Sequence, residues 1–358
     1  MMKRENFIKR VQKNWIIGFS ILLLAASCDP QINPPVTQSK TGIYILNEGG
    51  FNMNNSSLSF FNFKDRSVIS DLFLQTNNRG LGDVANDMKL YGSKLYIVVN
   101  NSETIEIINP ENAKSIKQIS LIGKQPRNIT FFEDKAYVSC FDGTVVRIDT
   151  TTLLPDGSVS VGLNPEGICV ANNKLYVANS GGLSSPITSN TVSVVDLNTY
   201  TEIKRIVVAT GPRILKSDQY GDVYVACTGN YGTILPSFHR INTVTDEAAE
   251  NYNLQVHNFT IQGNFAYLYS YNYNDQSKWF KVMDISTENI VKDNFISDAT
   301  NIAVPYGIAV DPVTNDVYIT DAGDFVSTGD VYCFNSNGVL KYQFEVGIIP
   351  SGWMVFKR

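Results

Sequence analysis

Hydrophobic and polar positions alternate along most of this chain in short runs that break at Gly, Pro, Asn and Asp, the pattern of β-strands joined by turns. One run recurs seven times with a tyrosine at its centre: Ile43-Tyr44-Ile45, Leu95-Tyr96-Ile97, Ala136-Tyr137-Val138, Leu175-Tyr176-Val177, Val223-Tyr224-Val225, Ala266-Tyr267-Leu268 and Val317-Tyr318-Ile319. Successive tyrosines lie 52, 41, 39, 48, 43 and 51 residues apart. Regular spacing of about 40–50 residues, with every unit reading as strand, predicts a β-propeller.

Each unit supplies the content of one blade. A turn such as Gly162-Leu163-Asn164-Pro165 precedes a short apolar strand, Gly167-Ile168-Cys169-Val170. A polar turn at Asn172-Asn173-Lys174 leads into the tyrosine strand. The third strand alternates over Thr191-Val192-Ser193-Val194-Val195-Asp196, and a fourth runs from Glu202 to Val207. The two ends of the repeat complement each other. Gly42 to Leu46 reads as a second strand without a first, and Ile349 to Phe356 as a first strand without a second. The chain is therefore expected to be all-β, a seven-bladed β-propeller closed by N- and C-terminal strands sharing one blade. That arrangement leaves no ring-end blade open to pair with other chains. A single domain over 42–358 overrides the two-domain expectation that 358 residues would otherwise raise.

The first residues read differently. Lys3, Arg4, Lys9, Arg10 and Lys13 precede an almost wholly apolar run from Trp15 to Ala26, too short to cross a bilayer and suited to a signal-peptide core. Leu24-Ala25-Ala26-Ser27-Cys28 resembles a lipobox, in which a bacterial lipoprotein is cleaved before, and acylated on, its cysteine; here Leu24 stands four places before Cys28. Residues 1–27 are thus expected to be a signal peptide, Cys28 the lipidated residue, and 28–41 a flexible, proline-rich tether. An ordinary secretion signal cut near the same point is the alternative. Residues 1–27 carry five positive charges and one negative, so their removal takes the net charge from −5 to −9. Such a surface disfavours nucleic acid.

Cys140, Cys169, Cys227 and Cys333 show no metal-type spacing; Cys140 and Cys227 share a repeat position in non-adjacent blades, and buried free thiols are expected. His239 and His257 are too few for a histidine-rich metal centre. There is no Gly-x-Ser-x-Gly elbow, His-Glu-x-x-His, phosphate-binding glycine loop or calcium-loop pattern. The chain is expected to bind rather than to catalyse, without a cofactor or a metal.

Propeller geometry says where binding occurs. The loop entering each first strand and the loop leaving each second strand share one face, around the mouth of the central channel. The loops leaving the tyrosine strands vary most in length and content, and long loops on a rigid scaffold are where binding resides. Their aromatic rings and asparagine amides suit a bulky ligand rimmed by amide or hydroxyl groups. The candidate contacts are Asn47, Asn100, Phe141, Asn179, Tyr231, Tyr271, Tyr273, Phe325 and Trp353. The same face carries Arg127, Arg213, His257 and Tyr306, and the carboxylates Glu48, Asp142, Glu166, Asp321 and Asp324. Asparagine and glycine also build turns, and aromatics also plug channels, so each position has a purely structural alternative.

The unit Pro-x-x-Ile-x-Val, then Lys174-Leu175-Tyr176-Val177-Ala178-Asn179, then Thr191 to Asp196, resembles the YncE-like, surface-layer-type seven-bladed propellers over residues 42–358. Tyr44-Ile45-Leu46-Asn47-Glu48-Gly49 with Asn55 to Phe61, and Gly82 to Met88 with Tyr96 to Ser102, are similar to lipid-anchored propellers of Bacteroidetes, among them the BtuG group. That resemblance implies a lipoprotein of the outer membrane, exposed at the cell surface. It would capture cobalamin or another corrinoid as ligand and hand it to a TonB-dependent, BtuB-like transporter. A lactonase-like, metal-dependent hydrolase or lyase built on the face carboxylates is one alternative. A pure protein-interaction propeller is another.

Overall fold

The computed structural model describes residues 41–358; the expected signal peptide, Cys28 and all of the expected tether but Thr41 lie outside the described residues. Seven four-stranded antiparallel sheets follow one another along the chain. Their innermost strands are Ala85–Tyr91, Pro126–Phe132, Pro165–Ala171, Pro212–Ser217, Asn258–Gln262, Pro305–Val310 and Pro350–Lys357. Each packs against the inner strand of both neighbouring blades, and the ring of contacts is complete.

The closing blade is ordered as expected. Pro350–Lys357 pairs antiparallel with Gly42–Asn47, in a register that sets Ile43 opposite Phe356 and Tyr44 opposite Val355. Gly42–Asn47 then pairs with Ser57–Asn62. The fourth strand of this blade is only Val68–Ile69, and a short helix, Leu72–Asn77, follows it. The strand pattern did not anticipate that helix, although its caps are in the sequence. Asp71 accepts a hydrogen bond from the Leu74 amide, and Asn78 ends the helix in the left-handed region. Leu72 and Phe73 are its buried face.

The tyrosine repeat has a packing explanation. Along a strand, neighbouring side chains face opposite sides of the sheet. Seven apolar clusters are found among the described residues, each formed between two successive blades, and the central tyrosine lies in the cluster shared with the following blade. Tyr44 packs with Ala85, Met88 and Leu95, Tyr96 with Ile129 and Val138, and Tyr318 with Ile43, Ile45 and Phe61 of the closing blade. The flanking residues face the preceding blade. All seven tyrosines are 7% exposed or less. Burying a side chain of this size contributes about 2–3 kcal/mol. The period therefore reflects one large ring per interface. The four cysteines are buried and free, as the spacing suggested.

A backbone irregularity sets up the site. Five of the seven inner strands begin with proline, which has no N–H to give to a ladder and is confined to strand starts and bulges. The register between first and second strand slips just after this position in six blades: at Ala85/Asp87, Pro126/Ile129, Pro165/Ile168, Pro212/Ile214, Pro305/Gly307 and Ile45/Asn47. Bulges re-aim the side chains beside them. Here the residue after the bulge start comes to the channel mouth in blade after blade.

Candidate functional site

A cavity of about 550 Å³ occupies the channel at the loop face, and its wall draws on all seven blades. Its upper tier is the set of residues beside the inner-strand starts: Asn86, Glu166, Arg213, His257, Tyr306 and Ser351, with Arg127 behind them.

This tier is held by charge. Glu166 Oε2 accepts from Arg127 Nη2 and from Arg213 Nε, each at 3.1 Å, and Glu166 Oε1 accepts from Ser180 Oγ at 3.3 Å. Burial alone would raise the Glu166 carboxyl, but the two guanidinium groups outweigh it and hold it below the ordinary carboxylate value. Arg127 also lies over the Phe141 ring, 4.4 Å from its centroid. Across the mouth, Tyr306 Oη donates to Glu48 Oε2 at 2.8 Å. Burial raises the Glu48 carboxyl despite that hydrogen bond and the nearby Arg127 and Arg213. His257 is pushed down by burial and by Arg213, so it is neutral at pH 7. Its Nδ1 accepts from the Tyr271 amide at 3.2 Å, which places the ring proton on Nε2.

The lower tier is aromatic with two ammonium groups. Trp353 is flanked by Lys216 Nζ at 4.2 Å and Lys89 Nζ at 5.6 Å from its ring centroid. Phe131, Phe259 and Tyr269 line the same space. Asp87 Oδ2 accepts from the Ile129 amide at 2.9 Å and from Asn128 Nδ2 at 3.2 Å.

Of the nine residues selected from sequence, Tyr231, Tyr271, Tyr273 and Trp353 line the cavity. Tyr231 and Tyr273 are exposed, while Tyr271 is buried with its ring 4.9 Å from that of Tyr273. Phe141 and Phe325 stand one layer back, the first under Arg127 and the second 5.8 Å from the Tyr306 ring. The three asparagines are turned into the blades. Asn179 donates to Thr191 and Ser193 and accepts from the Gly162 amide. Asn47 donates to Ser57 and Ser59, and Asn100 donates to the Pro126 carbonyl. A Cβ on Gly162 would fall 2.2 Å from Asn179, and one on Gly347 2.6 Å from Asn47. The same asparagine–glycine lock thus recurs in two blades, and these amides have a structural use.

Most of the carboxylates of the face are likewise engaged. Asp142 takes Lys124, Asp321 caps the amides of Ala303, Val304 and Gly323, and Asp324 caps those of Val326 and Ser327. Among the described residues, no three His, Cys, Asp or Glu side chains converge as a metal-holding group. Lys89 and Lys216 escaped the sequence reading. The available signal was a lysine directly after an apolar residue in each of two inner strands, Met88-Lys89 and Leu215-Lys216.

The family model for a domain of unknown function, DUF5074, matches residues 41–356. The chain belongs to this family. No curated protein matches the sequence. Solved structures similar to this DUF5074 protein include a quinonprotein alcohol dehydrogenase-like protein from Bacteroides thetaiotaomicron. It is 14% identical with a TM-score of 0.65, over 89% of this chain and 79% of that one. Hydrazine synthase from Kuenenia stuttgartiensis is similar at 17% identity and a TM-score of 0.60, over 71% of this chain and 77% of that one. The Pan2 WD40 domain of Neurospora crassa is similar at 11% identity and a TM-score of 0.54, over 72% and 78%. At these identities the likeness is one of fold: the DUF5074 chain is a propeller of a kind used for ligand binding, protein interaction and catalysis alike.

Proposed function

We propose that this protein is a cell-surface lipoprotein, anchored in the outer membrane through Cys28, that captures a bulky nutrient on the loop face of its propeller. The ligand is best read as a corrinoid such as cobalamin, and the recipient as a TonB-dependent, BtuB-like transporter. The reading rests on one observation: a preformed cavity of about 550 Å³ on the face that the repeat geometry singled out, walled by tyrosine, tryptophan and a few fixed polar groups. Pockets of this size and lining are what small-molecule sites use. The salt-bridged upper tier is already ordered, so little ordering cost remains at binding. A corrin macrocycle with its amide arms is broader than the cavity. It would rest on the rim, against Tyr231 and Tyr273, and send one limb inward.

The loops leaving the second strands also expose Phe51, Met53, Leu183, Leu235 and Val326. Apolar side chains gathered around a polar mouth favour a partner protein that docks there, in keeping with hand-off to a transporter. The hydrolase alternative is less well supported, because Glu166, Asp142, Asp321 and Asp324 are committed to arginine, lysine or backbone amides.

Every strand of the ring lies within 42–357, so a soluble chain lacking residues 1–28 retains the complete propeller. Calorimetric titration of that form with cyanocobalamin is expected to give saturable heat at micromolar concentrations. A flat titration eliminates the corrinoid.

A further inference from the structure

The floor of the cavity carries more positive charge than its surroundings pair. Lys89 and Lys216 come from inner strands of two non-adjacent blades and both reach the ring of Trp353, which belongs to the closing blade. Lys89 donates to the Ile129 carbonyl and stands 3.9 Å from Asp87 Oδ2. Lys216 has neither a hydrogen bond nor an ion pair among the described residues; its ammonium lies against the indole. The carboxylate beside them, Asp87, directs Oδ2 to Asn128 and Ile129, and its buried Oδ1 is without a partner among the described residues. Two ammonium groups thus face one carboxylate inside a chain whose overall charge is negative. Both lysines are half-buried, and a charge partly withdrawn from water without a counter-charge is costly and is satisfied by an ion or a ligand group.

We propose that Lys216 and Lys89, set around Trp353, form a subsite for one monoanionic oxyacid group of the ligand, a phosphodiester or a carboxylate. This deepens the binding-protein reading and rests on it: the acidic limb enters the channel while the bulk stays at the rim. The indole gives the ammonium groups a weak cation–π resting place that an oxyanion displaces. Burial, then the neighbouring Lys89 charge, push the Lys216 amine down to about 8, against the opposing pull of Asp87. The Cys169 thiol is itself raised to about 12 by burial and stays neutral.

The test uses the soluble chain carrying Trp279→Phe, which leaves Trp353 as its one tryptophan. Dimethyl phosphate and acetate are titrated separately in low-chloride buffer while Trp353 fluorescence is read. A saturable change is expected with at least one of them, and the preferred anion tells phosphodiester from carboxylate. Lys216→Met is expected to weaken it tenfold or more, Lys216→Arg to preserve it. Affinity in the protein that keeps Lys216 falls as pH rises through about 8, whereas the Lys216→Arg protein shows no such loss. No saturable change with either anion overturns the proposal, as does equal affinity in a folded Lys216→Met protein. If the anions bind and cyanocobalamin does not, the subsite stands and the corrinoid reading falls. If cyanocobalamin binds with the same affinity whether position 216 is left unchanged or carries Lys216→Arg or Lys216→Met, the corrinoid reading stands and the subsite falls.

Discussion

Tyr306 and Glu48 are 258 residues apart in the chain, yet the Tyr306 phenol donates to the Glu48 carboxylate at 2.8 Å. Tyr306 sits at the start of the inner strand Pro305–Val310, and Glu48 just past the tyrosine strand of the closing blade. Their hydrogen bond joins the last complete blade to the blade that seals the ring, at the lip of the cavity. Replacing Tyr306 by Phe keeps the ring against Phe325 but leaves the half-buried Glu48 carboxylate without its donor. The cost is expected to be about 1–3 kcal/mol in chemical denaturation. The Glu48 carboxyl, already raised, rises further. For a group raised on folding, stability is fully present below the unfolded value and declines as pH climbs through the folded one. The Tyr306→Phe protein is therefore expected to lose most at neutral pH and to recover toward acid.

Glu166 behaves with the opposite sign. Its folded value is depressed below the ordinary 4.5. The stability it lends is present above the ordinary value and is lost as pH falls through the lower folded one. Glu166→Gln leaves Arg127 buried beside a neutral amide and is expected to cost about 3–5 kcal/mol at pH 7. The same variant is expected to flatten the acid limb of the stability profile, measured by melting temperature between acid and neutral pH.

The motif tyrosines do not all use their hydroxyl groups. Tyr176 Oη donates to Asp246 at 2.5 Å, whereas the buried Tyr96 Oη has no partner among the described residues. Both rings fill inter-blade clusters. Tyr176→Phe is expected to cost about 1–3 kcal/mol. Tyr96→Phe is expected to be neutral or stabilising, because it removes an unsatisfied group at constant shape. Urea denaturation of the two variants side by side checks this.

Ring closure predicts a sharp length limit. Removing residues 350–358 takes away the inner strand of the closing blade and bares the edge of Gly42–Asn47. An open, apolar edge pairs with other chains. The truncated protein is expected to aggregate on size exclusion and to lose a cooperative thermal transition.

The repeat, the closure and the face that holds the cavity were legible because each is written as periodicity, and periodicity survives in a single sequence. The direction of an individual side chain is not. Asn179 ends its tyrosine strand and is locked to Gly162, Thr191 and Ser193, whereas Tyr231 lies in the loop beyond its strand and stands exposed at the mouth. Hydrogen bonds to a neighbouring turn and strand decide the direction of Asn179, and those partners are known only once the strands are paired. Lys89 and Lys216 were hidden for a related reason. Each resembles a polar residue on the outward side of a strand until the ring is closed and that side proves to be the channel.

The most direct measurement of the central claim is the affinity of cyanocobalamin for the soluble propeller and for its Tyr231→Ala/Tyr273→Ala variant. Binding at the loop-face cavity predicts saturable binding to the first. It predicts a loss of about tenfold or more in the second, roughly 1.4 kcal/mol, at unchanged melting temperature. Equal affinity in the two proteins, or none in the first, would contradict it.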